Sequence, residues 1–404
     1  MTESSRTKSR RKIAIVHPGL RIGGGSEACA LWMLEALKGD YDLTLINTNP
    51  VNLEEYNRIY HTRLNPDEIA TITVPPPRWL MSHRRFSALR ACRLAAFCKK
   101  HAGDYDLMIS SYNQMDFGRP GIQYILDPNY NQKMLSLLNP SPSRWKRWFY
   151  LDSFWRDMYL KTSRALSGYT EEGMKRNRTL VDSDWAGRVI HDYFGLETTT
   201  LYPPVFDQVP GLPWNEREPG FVCIGRIVPD KQIETLIHIV GELRIHFSGL
   251  HLHIIGRVGD PSYARRLEAL TKGKEEWVRW EGTVSAERKG RIMASHKYGI
   301  HGKMNEPFGI AAAEMALAGC LVWVPCGGGQ TEIVNHGDLT YGSPAEAVEK
   351  IGKALRDPRL ESSLREHLRI RARRFSQESF LTDVRAAVAD FFGGGERSRR
   401  PVLP

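Results

Sequence analysis

Twice along the chain a short β-branched run leads into a glycine-bearing loop and then into a stretch of helical periodicity. The first instance is KIAIVH (Lys12–His17), the loop Pro18–Gly25 and a segment with Leu31, Leu34 and Leu37 on one helical face, for which Ser26 would be the N-cap if the loop is only a tight turn. Strand, loop and helix in this order predict a unit of a doubly wound parallel sheet. Tyr41–Asn47, Tyr105–Ser111 and Ile122–Asp127 read as further strands, and Thr179–Ile190 as strand, Ser/Asp cap and helix. Leu201–Val205 (LYPPV) breaks the series, because its two prolines remove backbone donors. After the polar stretch to Gly220 a second series begins: Phe221–Gly225, Leu250–Gly256, Val278–Gly282, Tyr298–Gly302 and Cys320–Pro325. A chain of 404 residues exceeds what one hydrophobic core holds. The expectation is an α/β protein of two doubly wound domains, 12–205 and 206–375, with a last helix over 376–392 and disordered tails at 1–11 and 393–404.

Apolar residues make up 41% and charged residues 25%, which excludes a wholly disordered, collagen-like or coiled-coil chain. No apolar run approaches the roughly 18 residues of a membrane-spanning helix, and the basic opening MTESSRTKSRRK lacks the apolar region of a secretory leader. Six cysteines without a CxxC pair fit a reducing compartment, so a cytoplasmic location is expected. The net charge is +10, and the excess lies mostly before residue 206, with 28 Lys+Arg against 21 Asp+Glu. Such an excess suggests an anionic partner. Helix-turn-helix, zinc-finger and RNP patterns are absent, so nucleic acid is not expected to be that partner.

Four segments carry candidate chemistry. In GGGSE (Gly23–Glu27) the glycines let backbone approach a ligand, and the helix start offers free amides to an anion, although a tight turn reads as well. GRIVPDK places Arg226 and Lys231 after a strand, where two cations can clamp a diphosphate or sit as a solvated pair. NEPFGIAAAEMALAG holds Glu306 and Glu314, with Pro307 suited to a first helical position. On one helix those carboxylates would share a face about 12 Å apart, able to grip the two ends of a long ligand. CGGGQTEI (Cys326–Ile333) is a second glycine loop before a helix, or simply a turn.

In this order the segments resemble a GT-B retaining glycosyltransferase of family 4, the glycosyl transferases group 1. HPGLRIGGGSE and KYGIHGKMNEPFGI are similar to segments of dolichol-pathway mannosyltransferases and bacterial relatives. The resemblance implies two Rossmann-like domains facing an interdomain cleft, with the C-terminal helix crossing back to the N-terminal domain. It implies Arg226 and Lys231 at the donor diphosphate and Glu306 at the donor sugar, with the Phe308 and Gly309 amides and Ile310 beside it. Glu314 would take the ribose and the segment Gly282–Val284 the nucleobase, and Gly24 and Gly25 would admit the diphosphate or acceptor. His301 and Lys303 lie close enough in sequence to reach the donor. Family members often carry a histidine in the string around Tyr124–Pro128. Here that position holds Leu126. Either Asp127 takes its part, the register shifts, or the sugar is handled differently.

The expected activity is transfer of a hexose from a nucleotide-diphosphate sugar, GDP-mannose slightly ahead of a UDP-sugar, to a glycan, lipid-linked saccharide or small-molecule acceptor. A sugar-nucleotide epimerase and a non-catalytic subunit are the alternatives. The thirteen histidines show no metal-ligand spacing, so neither metal nor cofactor is expected beyond the co-substrate. Residues 78–100 carry seven Lys/Arg and no acid, with Phe86, Leu89, Leu94 and Phe97 as an apolar stripe. Residues 144–161 set Trp145, Trp148, Phe149, Phe154, Trp155 and Tyr159 among basic residues. Both could lie peripherally on an anionic membrane surface, or pack as ordinary surface helices.

Overall fold

The computed structural model describes residues 10–20, 24–77, 87–126, 154–205 and 211–394. Strands β1 (Lys12–His17), β2 (Asp42–Asn47), β3 (Ile69–Thr73), β4 (Leu107–Ser110), β5 (Ile122–Ile125), β6 (Arg178–Val181) and β7 (Thr198–Thr200) form one sheet, ordered β3-β2-β1-β4-β5-β6-β7. Strands β8 (Glu218–Ile224), β9 (His251–Ile255), β10 (Val278–Gly282), β11 (His296–Ile300), β12 (Leu321–Pro325) and β13 (Thr340–Tyr341) form the second, ordered β10-β9-β8-β11-β12-β13. Every pairing between strands is parallel. Helices cover both faces, so strands such as β1 and β12 are buried almost end to end. The strand order reverses at β1/β4 and at β8/β11, and the carboxyl ends at such a switch point form a crevice.

The sequence pattern misses β3, β7 and β13. Each is short and pairs as an edge strand or outside one, and none carries a buried β-branched run. Ser26 is not the N-cap of the first helix. Gly24 is, and the Ser26 hydroxyl donates instead to Glu27 at 2.8 Å. The Gly25–Leu37 helix is buried nearly all round, because it lies between the first sheet and the last helix.

That last helix, Gln377–Phe392, crosses back as expected. Phe380, Val384 and Val388 join the first domain's core, and Arg385 Nε donates to the Ala36 carbonyl at 2.8 Å. The crossing is pinned where the Val205 amide donates to the Phe375 carbonyl at 3.1 Å. Tyr202 stands edge-on to Phe375, with ring centroids 5.0 Å apart.

The basic helix Ser87–His101 does not leave its apolar stripe free. Leu94 and Cys98 sit in a core cluster with Val16, Met108 and Phe117, and Phe97 packs against it. Lys99 donates to the buried Asp116 at 2.7 Å and to the Gly168 carbonyl. The helix Phe154–Ser167 packs alongside and leaves Phe154, Met158 and Leu166 exposed. Phe86 with the rest of 78–86, residues 144–153, most of the two tails and Asp127 lie outside the described residues. No described helix is long and apolar enough to cross a membrane.

Candidate functional site

The second sheet builds the candidate site at its carboxyl edge. Strand β8 ends at Ile224 and delivers Gly225 and Arg226, and a single 3-10 turn, Pro229–Lys231, brings Lys231 back over the strand end. Strand β11 ends at Ile300, and the chain runs on through His301, Lys303 and Glu306. Lys231 Nζ donates to Glu306 Oε2 at 2.7 Å. Lys303 Nζ stands 3.6 Å and His301 Nε2 3.5 Å from the same oxygen, and Lys303 also faces Asp230 at 3.5 Å. Two ammonium groups thus face the Glu306 carboxylate, with Asp230 as a second carboxylate beside Lys303. Arg226 is exposed, and among the described residues it has no hydrogen-bond or ion-pair partner.

Burial alone would raise the Glu306 carboxyl. The Lys231 ammonium, with His301 and Lys303 behind it, outweighs burial and holds Glu306 well below the usual carboxylate range. His301 is pushed down by burial, which favours a neutral imidazole. An acid whose folded value is depressed stabilises the fold above its ordinary pKa of 4.5 and loses that contribution as pH falls through the folded value. Glu306→Gln should therefore lower the melting temperature near neutrality, with the gap to wild type closing below about pH 4. Thermal melts from pH 7 to pH 3 read this, and a gap independent of pH would show that the carboxylate charge is not what stabilises.

Glu306 is not on the helix that carries Glu314, as the Pro307 signal suggests. The helix runs Ile310–Leu317, and Gly309 caps it at φ 100°, a left-handed conformation. Glu306 lies before this turn in an extended bridge with Gly328, where the Gly329 amide donates to its carbonyl at 2.7 Å. The late glycine loop therefore acts on protein backbone. A Cβ on Gly329 would fall 1.9 Å from the Pro307 carbonyl. Gln330 secures the loop by donating to the carbonyls of Lys303 at 3.1 Å and Gly327 at 2.7 Å. Phe308 is buried against Tyr202 and Phe375, so its ring anchors the segment while its backbone stays near the helix start. The Ile310 and Ala311 amides open that helix, where intrahelical acceptors are lacking.

Glu314 is held by Lys289 at 2.7 Å from the Ala286–Ser295 helix. Val284, half-buried against the second domain's core, follows β10 at the same sheet edge. Gly24 and Gly25 come from the other domain. A Cβ on Gly25 would fall 2.3 Å from Ile310 Cδ1, so a larger residue there would push the tip of that side chain aside where the two helix starts meet. Leu126, at the histidine position of the family string, donates its amide to the Tyr112 carbonyl at 3.0 Å and packs against the first domain's core.

Three contributors escape sequence reasoning. Lys289 gives no motif signal. Glu332 accepts from the Asp184 and Trp185 amides at 3.0 and 2.7 Å and from the Tyr202 hydroxyl at 3.0 Å, capping a helix of the opposite domain. His17 closes β1, is buried and is pushed down to about 3 by burial. Its Nδ1 accepts from the Gly19 amide at 3.3 Å, and its Nε2 has no partner among the described residues. A histidine ending the first strand before Pro-Gly was the available signal.

Residues 206–375 match the family model described as glycosyl transferases group 1. The chain is 26% identical over 227 residues to the GDP-Man:Man(3)GlcNAc(2)-PP-Dol alpha-1,2-mannosyltransferase of Dictyostelium discoideum, a match covering 50% of this chain and 45% of that enzyme. The chain thus spans about half the length of the curated relative it matches. Anabaena HepE, solved in complex with UDP and glucose, superposes with a TM-score of 0.65 at 16% identity, covering 94% of this chain and 100% of that one. Sucrose-phosphate synthase from Thermosynechococcus elongatus superposes with a TM-score of 0.68 at 16% identity, covering 96% and 100%. At such identities the structural likeness speaks for the fold, and the sequence match speaks for the family. Architecture and sequence agree: the chain has a GT-B fold, its residues 206–375 match the glycosyl transferases group 1 model, and it resembles the dolichol-pathway mannosyltransferases.

Proposed function

We propose that this chain is a retaining glycosyltransferase that moves a hexose from a nucleotide-diphosphate sugar, GDP-mannose the favoured donor, to a hydroxyl of a glycan, lipid-linked or small-molecule acceptor. The observation that carries this reading is the convergence of Lys231 and Lys303 on Glu306 at the β8/β11 switch point, with Arg226 exposed beside them. The match to a GDP-Man enzyme supports the donor, and the UDP complex of HepE supports a nucleotide diphosphate in this fold.

In this reading Arg226 and Lys231 lie against the diphosphate and take up the charge that develops as it leaves. Glu306 accepts hydroxyl hydrogens of the sugar and so sets its orientation. Glu314 receives the ribose, and the Gly282–Val284 segment the base. The acceptor hydroxyl approaches on the face from which the diphosphate departs. Its oxygen bonds the anomeric carbon as the carbon–phosphate-oxygen bond breaks, its proton passes to the departing phosphate oxygen, and configuration is retained.

A thermal-shift screen of the full chain with GDP, UDP, ADP and their sugars tests the donor. Saturation at 100 times Kd stabilises by about 2.7 kcal/mol, a shift of several degrees. The expected result is a shift with GDP that Lys231→Ala abolishes. No shift with any diphosphate in a folded preparation would refute the reading. Conversion of a UDP-sugar to its epimer without acceptor would replace transfer by epimerisation.

A further inference from the structure

We propose that His251, His253 and His296, with Glu218, form a structural site for a divalent transition metal of the Zn2+ class at the amino-terminal edge of the second sheet. Sequence spacing shows only the His251-x-His253 pair on β9, since His296 and Glu218 come from two other strands. Register brings them together: on one side of β8 Gly220 pairs with His251 and Val222 with His253, and on the other Glu218 pairs with His296. The rings meet across β8 because that strand carries glycine there. A Cβ on Gly220 would fall 2.2 Å from His251 Nε2.

The three ligand atoms lie within 4.8 Å of one another, and all three residues are buried. His251 Nε2 and His296 Nε2 are 3.1 Å apart. Glu218 Oε2 is 3.4 Å from the first and 4.0 Å from the second. The opposite ring nitrogens fix the tautomers. His251 Nδ1 faces the Gly249 carbonyl at 3.2 Å, His296 Nδ1 the Ile292 carbonyl at 2.6 Å, and His253 Nδ1 the Glu281 carboxylate at 2.9 Å. The Ser295 hydroxyl also lies 3.1 Å from His296 Nδ1. With each Nδ1 donating to its oxygen, each Nε2 presents a lone pair, and the His251–His296 pair can share either a metal ion or a proton. Tetrahedral Zn–N bonds of about 2.0–2.1 Å place neighbouring nitrogens about 3.3 Å apart. A metal-bound histidine characteristically donates its other N–H to a carbonyl or carboxylate, as all three do here.

Imidazole suits zinc and its neighbours, and three imidazoles with one carboxylate make a closed four-coordinate set of structural type. The site ties β8, β9 and β11 at the end of the sheet away from Arg226 and Glu306. Arg279 covers its mouth, with NH1 3.4 Å from His253 Nε2 and 3.9 Å from Glu218 Oε2. Its half-exposed side chain can swing outward, and while in place it competes with a metal for the His253 lone pair.

The test is a Co2+ titration of the full chain after chelator dialysis, read by the visible absorbance of four-coordinate Co2+, with Zn2+ as competitor. We expect one Co2+ per chain, displaced by Zn2+, and a higher melting temperature with either metal. His253→Gln should abolish the band, Glu281→Gln should weaken affinity about 10- to 100-fold, and Arg279→Ala should tighten it. GDP binding should be unchanged in all three. Where a histidine variant does not fold, the wild-type and Arg279→Ala titrations decide the matter. A folded wild type that takes up no metal, because a shared proton holds the histidine pair, overturns the proposal. So does an absorbance band unaffected by His253→Gln.

Discussion

Lys231→Ala lowers the rate of sugar transfer by about 10²- to 10³-fold, expressed in kcat, and also lowers the melting temperature near neutrality. The magnitude is that of removing one preorganised charge from a developing oxyanion. Lys231 is well placed for it. Its ammonium is held 2.7 Å from Glu306, and its side chain is only 16% exposed, so the charge acts in a medium poorer in water than the surface. Lys303, within 3.6 Å of the same carboxylate, keeps part of its pairing and limits the loss of stability. Lys231→Arg should recover only part of the rate, since a planar guanidinium does not reproduce a point charge on a flexible stem. Steady-state transfer with the donor identified by the nucleotide screen gives the comparison. A Lys231→Ala enzyme within threefold of wild type would remove Lys231 from the leaving-group site and leave Arg226 as the candidate.

Phe380→Ala destabilises the first domain by about 3–5 kcal/mol, the cost of emptying a buried phenylalanine site. Phe380 is 1% exposed and packs with the Gly25–Leu37 helix in the first domain's core, although it lies more than 300 residues away in sequence. Loss of its ring opens the groove between the two helices. Hydrogen exchange in Gly25–Leu37 should rise sharply while exchange in β8, β9 and β11 stays near wild type. Donor affinity should also fall, because Gly24 and Gly25 form the start of the loosened helix. Unchanged protection in Gly25–Leu37 would show that the returning helix does not hold the glycine loop in place.

Much of the architecture is legible locally. A parallel strand buried on both faces is written as a continuous apolar run, so Lys12–His17 and Cys320–Pro325 announce themselves, as do the Ser183 cap and the helix after it. Arg226, Lys231, Glu306 and Glu314 are recognisable because their spacing within short segments is part of a family pattern. Three edge strands are not legible, since an edge needs no apolar run. The position of Glu306 differs from the sequence expectation for a backbone reason. Pro307 is compatible with a helix start, but a left-handed Gly309 delays the helix and turns Glu306 back onto Gly328.

The sequence by itself determined the units: which runs become strands and which charged residues stand at strand ends. These follow from periodicity, glycine and proline, each acting over a few residues. Only the tertiary structure decided what those units bring together. Lys231 meets Glu306 across 75 positions, Glu332 caps a helix 147 positions earlier, and His251 faces His296 across β8. Such meetings depend on strand order and register, which are set by the packing of whole layers and leave no mark on local spacing.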